Sequence, residues 1–481
     1  MLKENEVISK VLLSVSKFKG NFAEFRQGIL LGDYDSKSKE FSRLLLWKTC
    51  LITKTLNTRE WKDKLKTCRV IYHELRKSSN IIVPWWRLDE DNEFFMVKPS
   101  SKIHNLQTEP QKSLRFRNVT DDPLTNTKVK ISRKETSETN QDDAELLKTI
   151  ILDVQRLFPG DPVFHSHNDA SLRHKRQVVS ILFIWSKCNP QAGYKQGLHE
   201  VLGLIYKNIL KESLALPNTN TLSVDDLNVL SLFDLHYLEH DSFFLFNKFV
   251  VGTGIVSQFY ESEAVLMISI ERFNSFLMKV DQLIHYNLIT KLKLDTQLWI
   301  IRFFRLILLR ELGNDLEISS SFWDKLAAVG ASSLTQCVPQ LISFSIIVFL
   351  IHLKAELALC DFAEALSLLL HYPISTRLNL FPNFINDLFE DALKLFQMRE
   401  NDLKLYELGL KLNKKYAGVL KVNANLSTVV IPSTLNEEIS SGTLTERPLA
   451  ETLKKSNMAF EKSRLELRLK RKAQLILNNT D

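Results

Sequence analysis

Glycine and proline are scarce, with 14 and 13 copies in 481 residues. Turn-rich β folds and collagen-like chains need more of both, so this scarcity argues against them and fits long helices. Cysteine is scarcer still. Cys50, Cys68, Cys188, Cys337 and Cys360 are odd in number and far apart, with no C-x-x-C pair. That speaks against a disulfide framework or a zinc module and for a reducing compartment. No Walker loop, dinucleotide-type glycine pattern after a strand, H-E-x-x-H or G-x-S-x-G is present. The most membrane-like stretch, LISFSIIVFLIH from Leu341 to His352, is followed by Lys354 and Glu356. It falls short of the roughly 20 apolar residues a spanning helix needs and reads as a buried core helix. The N-terminus mixes acids with a short apolar run and lacks a signal-peptide core. These absences lead us to expect a soluble, cytoplasmic protein. A formal net charge of +7 is mild for this length and gives no ground for a nucleic-acid partner.

Hydrophobic residues make up 44% of the chain, enough for most of it to fold around a buried core. Apolar residues recur at helical spacing in FAEFRQGILLG and FSRLLLWKTCLIT, where Arg43 and Trp47 stand four apart on one face. From Glu145 the helical pattern is dense. ELLKTIILDVQRLFPG carries Leu146, Leu147, Ile150, Val154 and Leu157 as one stripe, stopped by Pro159-Gly160. HKRQVVSILFIWSKCNP gives a second helix, and the run after Gly197 a third, to about Lys211. Ser223 and Asp225 suit a helix start. No alternation suggests a sheet. The expectation is an all-α fold: residues 1–98 as an N-terminal helical part, a polar insertion or linker at 99–144, the main part at 145–422, a linker at 423–447 and a basic helical tail at 448–481.

Three places attract chemical interest. His165, His167 and Asp169 form a close trio, but no cysteine or second histidine pair at ligand spacing accompanies it, so it reads as a polar loop rather than a metal site. Asp153 and Arg156 lie three apart on a helix, where the carboxylate can aim the guanidinium or merely form a surface ion pair that complements the helix dipole. In Tyr194-Lys195-Gln196-Gly197, Gln196 sits between Gly193 and Gly197. It either begins a helix or is an amide held out where another backbone can approach closely.

Taken in order, Arg43-x-x-x-Trp47, Ile150-x-x-Asp153-x-x-Arg156 and Tyr194-x-Gln196-Gly197 resemble the three signature motifs of the TBC domain of Rab GTPase-activating proteins. The likeness covers roughly residues 25–400. It includes YLEHDSFFLF, the pair of segments ending in Trp323-Asp324, and the closing run VFLIHLKAELALCDFAEALSLLL. YKQGLHEVL with LEHDSFF is most similar to the subgroup of retromer-associated animal members and small yeast Ypt/Rab activators.

The resemblance implies a multi-helix TBC-type domain acting on a Rab/Ypt small GTPase in its GTP form, with no cofactor beyond the GTP and magnesium that the partner holds. Arg156 would be an arginine finger and Gln196 a glutamine finger that orients water. Asp153 would aim Arg156, while Tyr194 and Gly197 support the glutamine. Arg43 and Trp47 read as scaffold. A guanidinium offers a fixed fork of donors and stays charged, and a carboxamide can both accept from water and donate without being charged. Leu157 departs from the threonine that often follows the finger arginine, and Leu198 from the methionine that often follows the glycine. The subgroup leans toward endosomal or Golgi Rabs and a peripheral association with membrane or coat. One rival is a non-catalytic TBC adaptor that binds a Rab or a coat complex. Another is a scaffold docking on acidic membrane through KSRLELRLKRKAQLIL, although the charges of that tail are spread around the helix rather than gathered on one face.

Overall fold

The computed structural model describes residues 2–95, 135–166, 168–216, 223–331 and 337–416. Among them every regular element is a helix, and pairing between extended segments is confined to one isolated bridge, Leu214 to Asp234. The fold is all-α, as expected. The 423–447 linker, the 448–481 tail, His167 and most of the 99–144 stretch lie outside the described residues. The helix expected from Glu145 starts earlier, running Glu135–Gln155. Its extra turns are polar, so no apolar period announced them.

Helix starts follow side-chain chemistry. Asn21, Asn168, Ser223, Ser262, Asp315 and Asn401 each accept a hydrogen bond from a first-turn backbone N–H of the helix they precede. Each such cap is worth about 1 kcal/mol against alanine. At Gly32 the helix Phe22–Leu31 ends in a left-handed residue, φ 86°, a conformation that suits glycine.

By contacts the chain forms two compact units. The first comprises Met1–Lys66, Asn208–Leu235 and Phe244–Asp481, within the described residues, and the second Thr67–Lys207 and His236–Phe243. In the first unit the run LISFSIIVFLIH belongs to the helix Val338–His352, buried at every position but Gln340. A helix that is apolar all round has no solvent face and must be enclosed. It packs against Phe384–Gln397, with Phe349 and Phe384 edge to face at 5.7 Å between ring centroids. Where the chain turns polar after it, Lys354 is held by Asp281 Oδ2 at 2.7 Å and Asn413 Oδ1 at 2.8 Å. Among the described residues no helix is long and apolar enough to cross a membrane. In the second unit, Glu135–Gln155 packs on Asp169–Cys188, and its Leu147, Ile150 and Val154 are fully buried.

His352 ends the central helix of the first unit among rings, 3.8 Å from Tyr416, 5.0 Å from Phe384 and 5.2 Å from Phe381 between centroids. Neither imidazole nitrogen has a hydrogen-bond partner. Burial, reinforced by Arg377 and Lys415, pushes its pKa down to about 3. The folded chain therefore refuses a proton that the unfolded chain takes up near pH 6.5. This contribution is fully present above about pH 6.5 and is lost as pH falls toward 3. Urea unfolding at pH 7 and pH 4.5 should differ by on the order of 2 kcal/mol from this group. His352→Phe, which keeps the ring contacts, should remove that part of the difference.

Candidate functional site

Arg156 follows directly on the helix Glu135–Gln155, and its N–H bonds the Asp153 carbonyl at 3.3 Å, which continues the helical path by one residue. Its side chain is 58% exposed, and Nη2 donates to Asp153 Oδ1. The turn after it is fixed from several sides. Leu157 is fully buried, and its carbonyl accepts from His165 Nε2 at 2.7 Å. Phe158 takes a left-handed φ of 44°. The Leu157 side chain lies against Gly203, where an added Cβ would meet Cδ1 at 2.7 Å. Leucine at this position therefore supports the arginine turn by filling space over a glycine rather than by a local hydroxyl bond. His165, the described histidine of the candidate metal trio, is committed to this turn. Among the described residues no three His, Cys, Asp or Glu side chains gather as a metal site would require.

The Asp153 carboxylate is 6% exposed and serves two partners. Oδ1 accepts from Arg156, and Oδ2 accepts the Tyr194 hydroxyl at 2.7 Å. His199 Nδ1 lies 3.2 Å from the same hydroxyl and 3.6 Å from Oδ2. The two motifs that sequence order set side by side are thus joined through one buried acid. Gly193 and Gly197, at φ 57° and 107°, bound the loop that Tyr194 anchors. The helix start falls to Gly197, whose carbonyl accepts from Glu200 N at 3.0 Å and Val201 N at 3.2 Å ahead of the helix Leu198–Glu212. Gln196 is exposed, and its amide has no hydrogen-bond partner among the described residues.

Arg43 and Trp47 lie in the first unit, in its interior. Arg43 is 2% exposed. Its guanidinium donates to Asp324 from Nε at 2.9 and 3.1 Å and from Nη2 at 3.0 Å, to Glu317 at 2.6 Å and to Asn208 at 3.1 Å. Trp47 Nε1 donates to Asp324 Oδ1 at 2.7 Å. Both residues belong to the short helix Arg43–Lys48, whose first N–H groups, those of Arg43 and Leu44, are met by the Glu212 carboxylate at 3.0 Å each. Burial works against the Arg43 charge, but Asp324 and Glu317 outweigh it and the pKa is raised. Burial pushes Glu317 up, yet the bonds and charges of Arg43 and Lys211 bring it below the usual carboxylate range.

The acids of YLEHDSFFLF are also internal. Within the second unit Asp241 takes both arms of Arg69 at 2.8 and 2.6 Å, and Glu239 accepts from Tyr72 at 2.8 Å and Arg76 at 3.3 Å. Burial raises Glu239 despite Arg76 and Tyr72, and lowers His240 to about 4.

Sequence reasoning found Arg156, Asp153, Tyr194, Gln196 and Gly197 but passed over His199, Glu212 and Glu317. His199 carried a signal: it is a polar residue inside a run that is otherwise apolar from Leu198 to Tyr206 except for Glu200. Glu212 and Glu317 carried none, because their partners lie 169 and 274 residues away.

The all-helical chain that carries these residues has counterparts among known proteins. A model of the Rab-GTPase-TBC domain family fits residues 103–358, more than half of the chain, and the chain belongs to that family. Arg43 and Trp47 lie ahead of the matched range. Two curated relatives are TBC1 domain family member 5 of Homo sapiens, 23% identical over 282 residues, and of Mus musculus, 23% over 256. Those alignments take in 54% and 48% of this chain but only 32% and 30% of the relatives, about a third of their length. The crystal structure of the Ypt/Rab-GAP domain of Gyp1p superposes with a TM-score of 0.54 at 16% identity, covering 82% of this chain and 99% of that one. At that identity the likeness is one of fold.

Removing one partner from a buried, charge-paired network costs about 3–5 kcal/mol, whereas an exposed side chain usually carries less than about 0.5. Arg43→Ala should therefore lower the urea unfolding free energy by several kcal/mol. Arg156→Ala should lower it by less, about 1 kcal/mol, because it takes one of two donors from the buried Asp153 but water can enter where the half-exposed guanidinium stood.

Proposed function

We propose that this chain is a GTPase-activating protein for a Rab/Ypt small GTPase, with Arg156 as an arginine finger and Gln196 as a glutamine finger supplied in trans. The observation that carries this reading is the shared Asp153 carboxylate. It braces the exposed Arg156 guanidinium and, through Tyr194, anchors the loop from which Gln196 projects. Neither finger carries chemistry of its own. The reacting bond, the nucleotide and the magnesium belong to the partner in its GTP-loaded state.

GTP hydrolysis is slow when charge developing on the phosphoryl oxygens is poorly matched and the attacking water is poorly held. A guanidinium keeps its charge as it leaves water and presents its donors in a plane, so Arg156 suits the first task. The Gln196 amide can accept from a water while donating to an oxygen, so it suits the second. Asp153 limits the entropy lost when Arg156 is fixed, because one of its donors is already held. Gly197, buried at φ 107°, lets the chain turn sharply right behind the exposed Gln196. The resemblance of YKQGLHEVL and LEHDSFF to the subgroup of retromer-associated animal members and small yeast Ypt/Rab activators favours peripheral recruitment to endosomal or Golgi membranes.

Single-turnover GTP hydrolysis on a panel of purified Rab and Ypt proteins tests this. The wild-type chain should stimulate at least one of them, and Arg156→Ala should lower that rate by about 10³–10⁵. Gln196→Ala should also cost orders of magnitude, with folding intact for both. A wild-type chain that binds GTP-loaded Rab without stimulating hydrolysis would make it an adaptor instead.

A further inference from the structure

The helix Glu135–Gln155 spends most of its large apolar residues on the core of its unit, and Leu152 stands out among the rest. Leu147, Ile150, Ile151 and Val154 are at most 2% exposed, but Leu152 is 66% exposed. It is more exposed than the other outward large apolar side chains of that unit, Val70 at 52%, Ile71 at 49% and Ile82 at 46%. Residues four apart on a helix share a face. Lys148, Leu152 and Arg156 are spaced in that way, and the Arg156 N–H bond to Asp153 O extends the helical path to the arginine. The uncovered leucine thus stands one turn from the uncovered guanidinium.

We infer that Leu152 is a docking residue that seats an apolar patch of the GTP-loaded Rab/Ypt partner beside the finger, an inference that rests on the function proposed above. A single exposed leucine is ordinary on a protein surface; its position beside Arg156 is what singles it out. An arginine acting on a phosphoryl group works best with water excluded, and apolar contacts ringing a polar anchor exclude it. A lone leucine among Glu145, Lys148 and Thr149, all exposed, buries too little to hold a bilayer. The surface continues directly into the proposed reacting site, so the occupant is the same GTPase.

Leu152 touches no reacting atom, so its effect falls on encounter rather than chemistry. The test uses the full chain and the Rab or Ypt protein from the purified panel that it stimulates most. Leu152→Ala should raise the activator concentration for half-maximal stimulation by about tenfold or more, in keeping with the loss of a buried leucine contact. The saturated rate should stay at the wild-type value, and Leu152→Met should behave as wild type. Half-saturation unchanged in Leu152→Ala, or a fall in saturated rate alone, overturns the inference while Arg156→Ala still abolishes stimulation. If Arg156→Ala keeps the full rate, or the wild-type chain stimulates no GTPase, the functional reading fails and this inference with it.

Discussion

Taking a carboxylate out of water costs several kcal/mol unless its lone pairs are met by charge or by well-placed donors. Asp153 is nearly buried and meets that condition with two donors from different parts of the chain, the Arg156 guanidinium and the Tyr194 hydroxyl. The requirement works in both directions. Because the acid must be satisfied, the arginine is drawn to one side of its helix end, and the tyrosine loop is drawn to the same acid. His199 beside the Tyr194 hydroxyl closes the group on its inner side. What faces solvent is then constrained without being covered.

The same device recurs in the first unit with a different outcome. Asp324 also takes an arginine and an aromatic donor, Arg43 and Trp47, but there the guanidinium is consumed by Asp324, Glu317 and Asn208 together. Its donors end inside the protein. Arg156 has one carboxylate partner and most of its side-chain surface in water. Two arginines in two motifs thus serve opposite ends, and the number of acceptors each meets separates them better than sequence position does.

Helical periodicity made most of the architecture legible. The stripe at Leu147, Ile150 and Val154 and the wholly apolar run at Val338–His352 both lie where their pattern placed them. The polar beginning of Glu135–Gln155 was not legible, since without apolar residues a helix has no period to show. At the site, the order of short motifs picked out the residues, and local spacing proposed the Asp153–Arg156 pair. The bond from Asp153 to Tyr194 spans 41 residues and that from Arg43 to Asp324 spans 281. Such pairings are set by how helices pack, and a single sequence carries no local trace of them.

Leu157 shows how a departure from a family pattern is absorbed. A threonine there could brace the arginine with a hydroxyl, and leucine cannot. The turn instead rests on a buried apolar contact at Gly203 and on the His165 bond to the Leu157 carbonyl. Gly203 is the residue that makes this work, because any Cβ at that point would lie within 3 Å of the leucine methyls. The support of the arginine has moved from a polar side chain to packing, which holds position through excluded volume rather than direction. Direction is then left to Asp153 alone. That places more weight on this one buried acid here than in a chain where a hydroxyl shares the task.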